Sequence, residues 1–164
     1  SAASDVYKRQ GVYIVPAFSG IGAPYWRSDA RGLITGLTRD TDWKNLVRAT
    51  VESVAYQSHD LFNSMNKDGL KPKIIKIDGG MVENNWFSQF LSDIINLQVI
   101  RPKVLETTAL GVALFAGYKS GVFKSLKEID RLWKKDRDFR PKISKANRNN
   151  LIKGWNLAIK RTLV

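Results

Sequence analysis

Apolar residues change period several times along the chain, and each change marks an element. Val12 to Val15 (VYIV) is a continuous apolar run closed by Pro16, the pattern of a short buried strand. A long loop, Ala17 to Gly32, follows, and Leu33 to Leu37 (LITGL) reads as another strand. Asp42 is placed to cap a helix reaching about Met65, in which Leu46, Val47, Val51, Val54, Ala55, Leu61 and Phe62 recur at helical spacing and predict one buried stripe. Asp68-Gly69 stops it. Lys73 to Ile77 (KIIKI) predicts a strand, and Asn85 to Asn96 a helix with Trp86, Phe87, Phe90, Leu91, Ile94 and Ile95 facing inward.

The remainder continues the alternation. Gln98 to Arg101 reads as a short strand ending at Pro102, and Thr108 to Ser120 (TALGVALFAGYKS) as a small-residue helix able to pack closely on a sheet. Ser125 is placed to cap a short helix reaching Trp133, and Lys145 to Thr162 forms a terminal helix. Strands alternating with helices in this order predict an α/β fold with a mostly parallel sheet covered by helices. The first ten residues, SAASDVYKRQ, stand apart: they lack apolar periodicity and resemble an in-frame translation of a sequencing-library adapter. They are set aside as a non-native scar.

Composition excludes several classes. With no cysteine there is no disulfide framework and no thiolate metal site, which fits a reducing compartment. A single histidine, His59, excludes a His-rich metal centre. No apolar run approaches the roughly 20 residues that a membrane-spanning helix needs. The net charge of +12 invites a nucleic-acid reading. Yet Lys119 to Val164 holds 14 basic and 4 acidic residues, with Glu128, Asp130, Asp136 and Asp138 interleaved among the basic ones. That pattern reads as solvated helix faces and a connecting loop, not a stripe tracking phosphates.

Three stretches could carry chemistry. In IIKIDGGMVENNWFSQFLSD a strand ends at Asp78, Gly79 and Gly80 follow, and a helix begins near Asn84. Glycines there permit a sharp turn and close approach of a ligand, and free N–H groups at a helix start favour polar or anionic ligand atoms. The position is the carboxyl end of a strand, where open α/β sheets hold their ligands. It is neither the GxGxxG fingerprint nor the GxxxxGK[ST] phosphate loop. The second stretch, Pro16 to Trp26 (PAFSGIGAPYW), is rich in aromatics, with Gly20 and Gly22 suited to close packing; it reads as a loop folded over its own core or an oligomer contact. In the third, Arg101 to Thr108, Glu106 with Thr107 or Thr108 is read as a helix cap. Among single residues, His59 is placed on a polar face, Asp78 as a metal ligand or a hydrogen-bond partner of the glycine turn, and Glu52 as a partner of the preceding loop.

These segments resemble the FGGY family of sugar kinases. GLITGLTRDTDWKNLVRATVE, Gly32 to Glu52, is similar to the family's carboxyl-proximal signature. PAFSGIGAPYW, DGGMVENNWFSQFLSD, RPKVLETTALGVALFAG and the closing FRP…GW pattern resemble blocks of the glycerol-phosphorylating members, in the same order. The resemblance implies a ribonuclease-H-like domain of the actin/hexokinase ATPase type, incomplete at its amino-terminal side, with residues 11–164 forming part of the carboxyl-terminal, nucleotide-binding half. It further implies phosphoryl transfer from ATP, accompanied by Mg²⁺, to glycerol, in a cytoplasmic homo-oligomer with no nucleic-acid or membrane partner. Gly80 and Asn84 match the family's nucleotide contacts, with Gly79 as supporting turn residue. No catalytic residue or metal ligand is assigned: the family's general-base Asp, glycerol-binding residues and phosphate-gripping hairpins lie upstream of Gly11, so the chain alone is expected to be inactive. Asn147 stands where some members carry an acidic regulatory metal ligand, so that regulation is not expected. The competing functions are an FGGY kinase for another polyol or sugar, and a basic nucleic-acid-binding module whose affinity would fall steeply with salt.

Overall fold

The computed structural model describes residues 11–164. The reading of residues 1–10 as a scar lies outside them. In chain order the elements are β1 (Tyr13–Val15), β2 (Leu33–Thr35), α1 (Trp43–Lys67), β3 (Ile74–Lys76), a 3-10 turn (Gly80–Glu83), α2 (Asn85–Ile95), β4 (Gln98–Pro102), α3 (Thr107–Lys119), α4 (Leu126–Asp130), β5 (Lys135–Phe139) and α5 (Lys145–Thr162). They form two compact units, residues 11–71 with 142–164 and residues 72–141.

In the first unit β1 and β2 pair antiparallel, Ile14 opposite Ile34, and both α1 and α5 contact this ribbon. Asp42 caps α1 as expected: its carboxylate accepts the Asn45 N–H at 3.1 Å, while the Asn45 side chain accepts the Asp42 N–H at 2.8 Å. The buried stripe differs from the expected one. Ala49, Glu52, Ser53, Ala55, Tyr56 and Asp60 are buried, whereas Val47 and Leu61 are 54% and 43% exposed. Helical spacing fixes a period but not which face is covered, and here the covered face is the one that meets Trp155 of α5. The Trp155 ring is fully buried and stacks on Tyr56 at 5.3 Å.

The second unit is built on a βαβ element. β3 and β4 run parallel, Ile75 opposite Val99, with the 3-10 turn and α2 crossing between them. Phe87, Phe90, Leu91, Ile94 and Ile95 of α2 are buried as expected, while Trp86 is half-buried. β5 was expected as loop and helix face; it is a strand, antiparallel to β4. The mostly parallel sheet is therefore corrected to one parallel and one antiparallel pair in this unit, beside the separate antiparallel ribbon of the first. KDRDF carries no apolar alternation because its pairing is supplied by β4 rather than by a buried face of its own.

α3 also departs from expectation. Apolar nearly all round, it has no buried residue, and Val112 and Phe115 are 68% and 66% exposed. A helix of that character needs cover on more than one side; at Gly117 the Phe123 ring closes against it. Ser125 caps α4 through the Glu128 N–H, but that helix stops at Asp130 rather than Trp133. No helix among the described residues is long and apolar enough to cross a membrane.

Candidate functional site

The glycine turn lies at the carboxyl end of β3, where β4 ends beside it. The Gly79 N–H donates to the Leu105 carbonyl at 3.0 Å, tying the turn to the segment that enters α3. Gly79 has φ +87°, the left-handed region that costs other residues about 1–2 kcal/mol. Gly80 is different. Its backbone is not left-handed, and a Cβ built there would meet no atom within 4 Å. What its missing side chain leaves is open space along the backbone, available to a ligand.

Asn84 closes the turn and starts α2. Its side-chain oxygen accepts the Trp86 and Phe87 N–H groups at 2.9 and 3.3 Å. The oxygen is thus engaged by the helix, and the NH₂ group is the part of this exposed side chain that can meet a ligand. The cap takes the Trp86 and Phe87 donors of the α2 start and leaves the Asn85 N–H there, with those of Gly80 and Met81 one turn earlier, without a hydrogen-bond partner among the described residues.

Sequence reasoning missed what holds this turn. Arg101 of β4, 8% exposed, donates through Nη1 to the Val82 and Glu83 carbonyls at 2.6 and 3.0 Å. The buried Ser88 hydroxyl donates to the same Val82 carbonyl at 3.0 Å. Arg101 Nε and Nη2 donate to Asp136 of β5 at 2.8 and 2.6 Å. No local pattern in the sequence marks the pair, since Arg101 and Asp136 lie 35 residues apart on two different strands. Asp138 accepts from Gln98 of β4 at 2.9 Å. Asp78 accepts from the Thr107 hydroxyl at the start of α3, so its partner is that helix rather than the glycine turn. Glu106 takes the cap position of α3 without a side-chain cap bond, which corrects its assignment as the capping group. Among the described residues no three His, Cys, Asp or Glu side chains gather as a metal cluster.

The loop from Pro16 to Trp26 belongs to the first unit. Ile21 and Arg27 exchange N–H···O bonds of 2.8 and 2.9 Å, closing its tip, and Gly20 lies where a Cβ would press on the Arg27 and Ser28 backbone. Gly22 has open space instead. Ala17 is buried but Phe18 and Trp26 are exposed, so the loop covers its core only in part. Its anchor is Asp60, whose Oδ2 accepts from the Tyr25 hydroxyl at 2.9 Å and from the Trp155 Nε1–H at 2.6 Å. His59, placed on a polar face by the sequence, is half-buried beside Asp60 and Asn63. Glu52 is buried on α1 and accepts from Arg48 Nε at 2.7 Å.

Burial first, then the Asp60 charge and its hydrogen bond, push the Tyr25 hydroxyl well above its ordinary pKa. The folded state therefore resists ionisation of Tyr25. The stability it contributes is fully present below about pH 10, the unfolded value, and is lost as pH climbs toward the raised folded value. Urea midpoints measured from pH 8 to 11 should fall more steeply above about pH 10 in the native chain than in Tyr25→Phe. Equal slopes would remove Tyr25 from the account.

The chain, a mixed α/β structure with a βαβ element and a glycine turn at the strand end, shares the actin/hexokinase-like ATPase fold of the solved kinases it superposes on. Residues 1–120 match the profile of the FGGY family of carbohydrate kinases, C-terminal domain, and the chain belongs to that family. It is 49% identical over 162 residues to a glycerol kinase of Gluconobacter oxydans, covering 98% of this chain and 32% of that protein. Among solved structures, Plasmodium falciparum glycerol kinase with ADP superposes with a TM-score of 0.83 at 39% identity, covering 99% of this chain and 34% of that one. A ligand-bound xylulose kinase from Lactobacillus acidophilus shares the fold at 22% identity, with a TM-score of 0.74 over 97% of this chain and 32% of that one. The chain spans about a third of the length of the relatives it matches.

Proposed function

We propose that this chain is the nucleotide-binding part of an ATP-dependent glycerol kinase, which moves the γ-phosphoryl group of ATP to a terminal hydroxyl of glycerol. The observation that carries this reading is the open backbone at Gly80, with the Asn84 NH₂ at the other end of the same turn, in a chain that aligns with a glycerol kinase over 98% of its length. Gly80 would let the nucleoside lie against the backbone, Asn84 would donate to an acceptor on the ribose or base, and Gly79 supplies the left-handed step that aims the turn. Mg²⁺ would arrive on the nucleotide's phosphates, as it does where few protein ligands are provided.

The choice of glycerol over another polyol rests on the contrast between 39% identity to a glycerol kinase structure and 22% to the xylulose kinase. ADP formation by the full-length protein should be at least about a hundredfold more efficient with glycerol than with xylulose or gluconate, since a site built for particular hydroxyls rejects poor matches strongly. The 164-residue chain alone should give no turnover. Preference for a different polyol, or glycerol-dependent turnover by the isolated chain, would overturn the assignment.

A further inference from the structure

Arg101 is a costly way to hold a turn together. A guanidinium that is almost wholly buried has lost most of its water, and an apolar side chain of similar volume often stabilises a fold as well or better. Its geometry is specific instead. One nitrogen, Nη1, holds the last two carbonyls of the 3-10 turn, those of Val82 and Glu83, immediately before Asn84. The other face of the group is fixed by Asp136.

Asp136 reaches Arg101 because β5 is irregular at that point. Arg101 lies opposite Arg137 and Pro102 opposite Lys135, so Asp136 is the extra residue of a β-bulge. Bulges re-aim a side chain, and this one turns a carboxylate onto the guanidinium. The Phe139 ring, 5.6 Å from the guanidinium carbon, adds a further constraint. Strand, bulge and arginine together fix the carbonyls that set the spacing between Gly80 and Asn84.

We propose that Arg101, oriented by Asp136, is a positioning residue for the nucleotide: it holds the Gly80–Glu83 turn so that the Gly80 backbone and the Asn84 amide meet the nucleoside together. The inference rests on the reading of that turn as a nucleotide site. Lysine cannot replace the arginine, because a single ammonium does not present the planar fork that meets two carbonyls and a carboxylate at once.

The test is a set of variants in the full-length kinase, with KM measured separately for ATP and for glycerol. Arg101→Gln and Arg101→Lys should raise the ATP KM about tenfold, since a small misplacement of a binding group is costly, and leave the glycerol KM within about twofold. Asp136→Asn, whose side chain is 41% exposed and whose loss threatens folding less, should raise the ATP KM about threefold. Hydrogen exchange in a peptide covering residues 79–87 should quicken in all three. An unchanged ATP KM in a folded Arg101 variant would overturn the inference, and so would a parallel rise in both KM values. If the Arg101 variants do not fold, Asp136→Asn is read by the same criteria. Gly80→Leu and Asn84→Ala in the same assay separate the two claims. If they leave the ATP KM unchanged, the nucleotide site itself is wrong; if they raise it while the Arg101 and Asp136 variants do not, only the positioning role fails.

Discussion

Gly80→Leu in the full-length kinase is expected to raise the KM for ATP by about 10- to 100-fold, a loss of about 1.4–2.8 kcal/mol of nucleotide binding. The direction follows from empty space. Because a side chain at Gly80 meets nothing in the chain and the backbone there is not left-handed, the substitution should leave the melting temperature within a few degrees of the parent. The cost therefore falls on whatever approaches the backbone from outside. Gly79→Leu makes the contrast: at φ +87° it strains the turn and should lower stability by about 1–2 kcal/mol whether or not nucleotide is present. ATP titrations monitored by calorimetry would read the affinity and thermal scans the stability. Undiminished affinity in Gly80→Leu would sink the nucleotide assignment.

The second large effect is in the first unit. Trp155→Ala should destabilise it by about 3–5 kcal/mol, the range for removing a large buried aromatic. Three losses coincide at this residue. The fully buried ring leaves a cavity, Tyr56 loses the ring stacked against it, and the buried Asp60 loses the indole N–H donor at 2.6 Å. Since domains are stable by only about 5–15 kcal/mol, the variant should be partly unfolded at 37 °C. Leu157→Ala, two residues along the same helix and half exposed, should cost within about 0.5 kcal/mol. Urea titrations followed by circular dichroism would compare the two. Similar midpoints would show that Trp155 is not the centre of this core.

Periodicity made α2 and its inward residues legible because the helix is amphipathic and meets a sheet on one side. Capping residues were legible too: Asp42 and Ser125 each accept the N–H that a cap requires. The α1 stripe was not, since its valines and leucines have the right period while the covered face is chosen by Trp155, about a hundred positions away. β5 left no signal either. Its charged residues are explained only by partners on β4: Arg101 for Asp136 and Gln98 for Asp138.

The candidate site divides in the same way. The glycine pair and Asn84 stand together in the sequence; turn chemistry marks the glycines, and the resemblance to the family marks Asn84. Their support does not: Arg101 and Asp136 are separated from the turn and from each other, and a bulge that exists only in the paired sheet brings them into register. Short-range chemistry could be read directly, whereas anything set by strand pairing could not.

The first unit is also divided along the chain, with residues 72–141 emerging from the ribosome between its two parts. At about 5–20 residues per second, the surface of α1 that receives Trp155 waits several seconds for its partner. Through that interval Tyr56 and the Asp60 carboxylate are without the indole that covers them in the finished unit. Translation arrested before the Trp155 codon would leave this surface of α1 uncovered on the nascent chain.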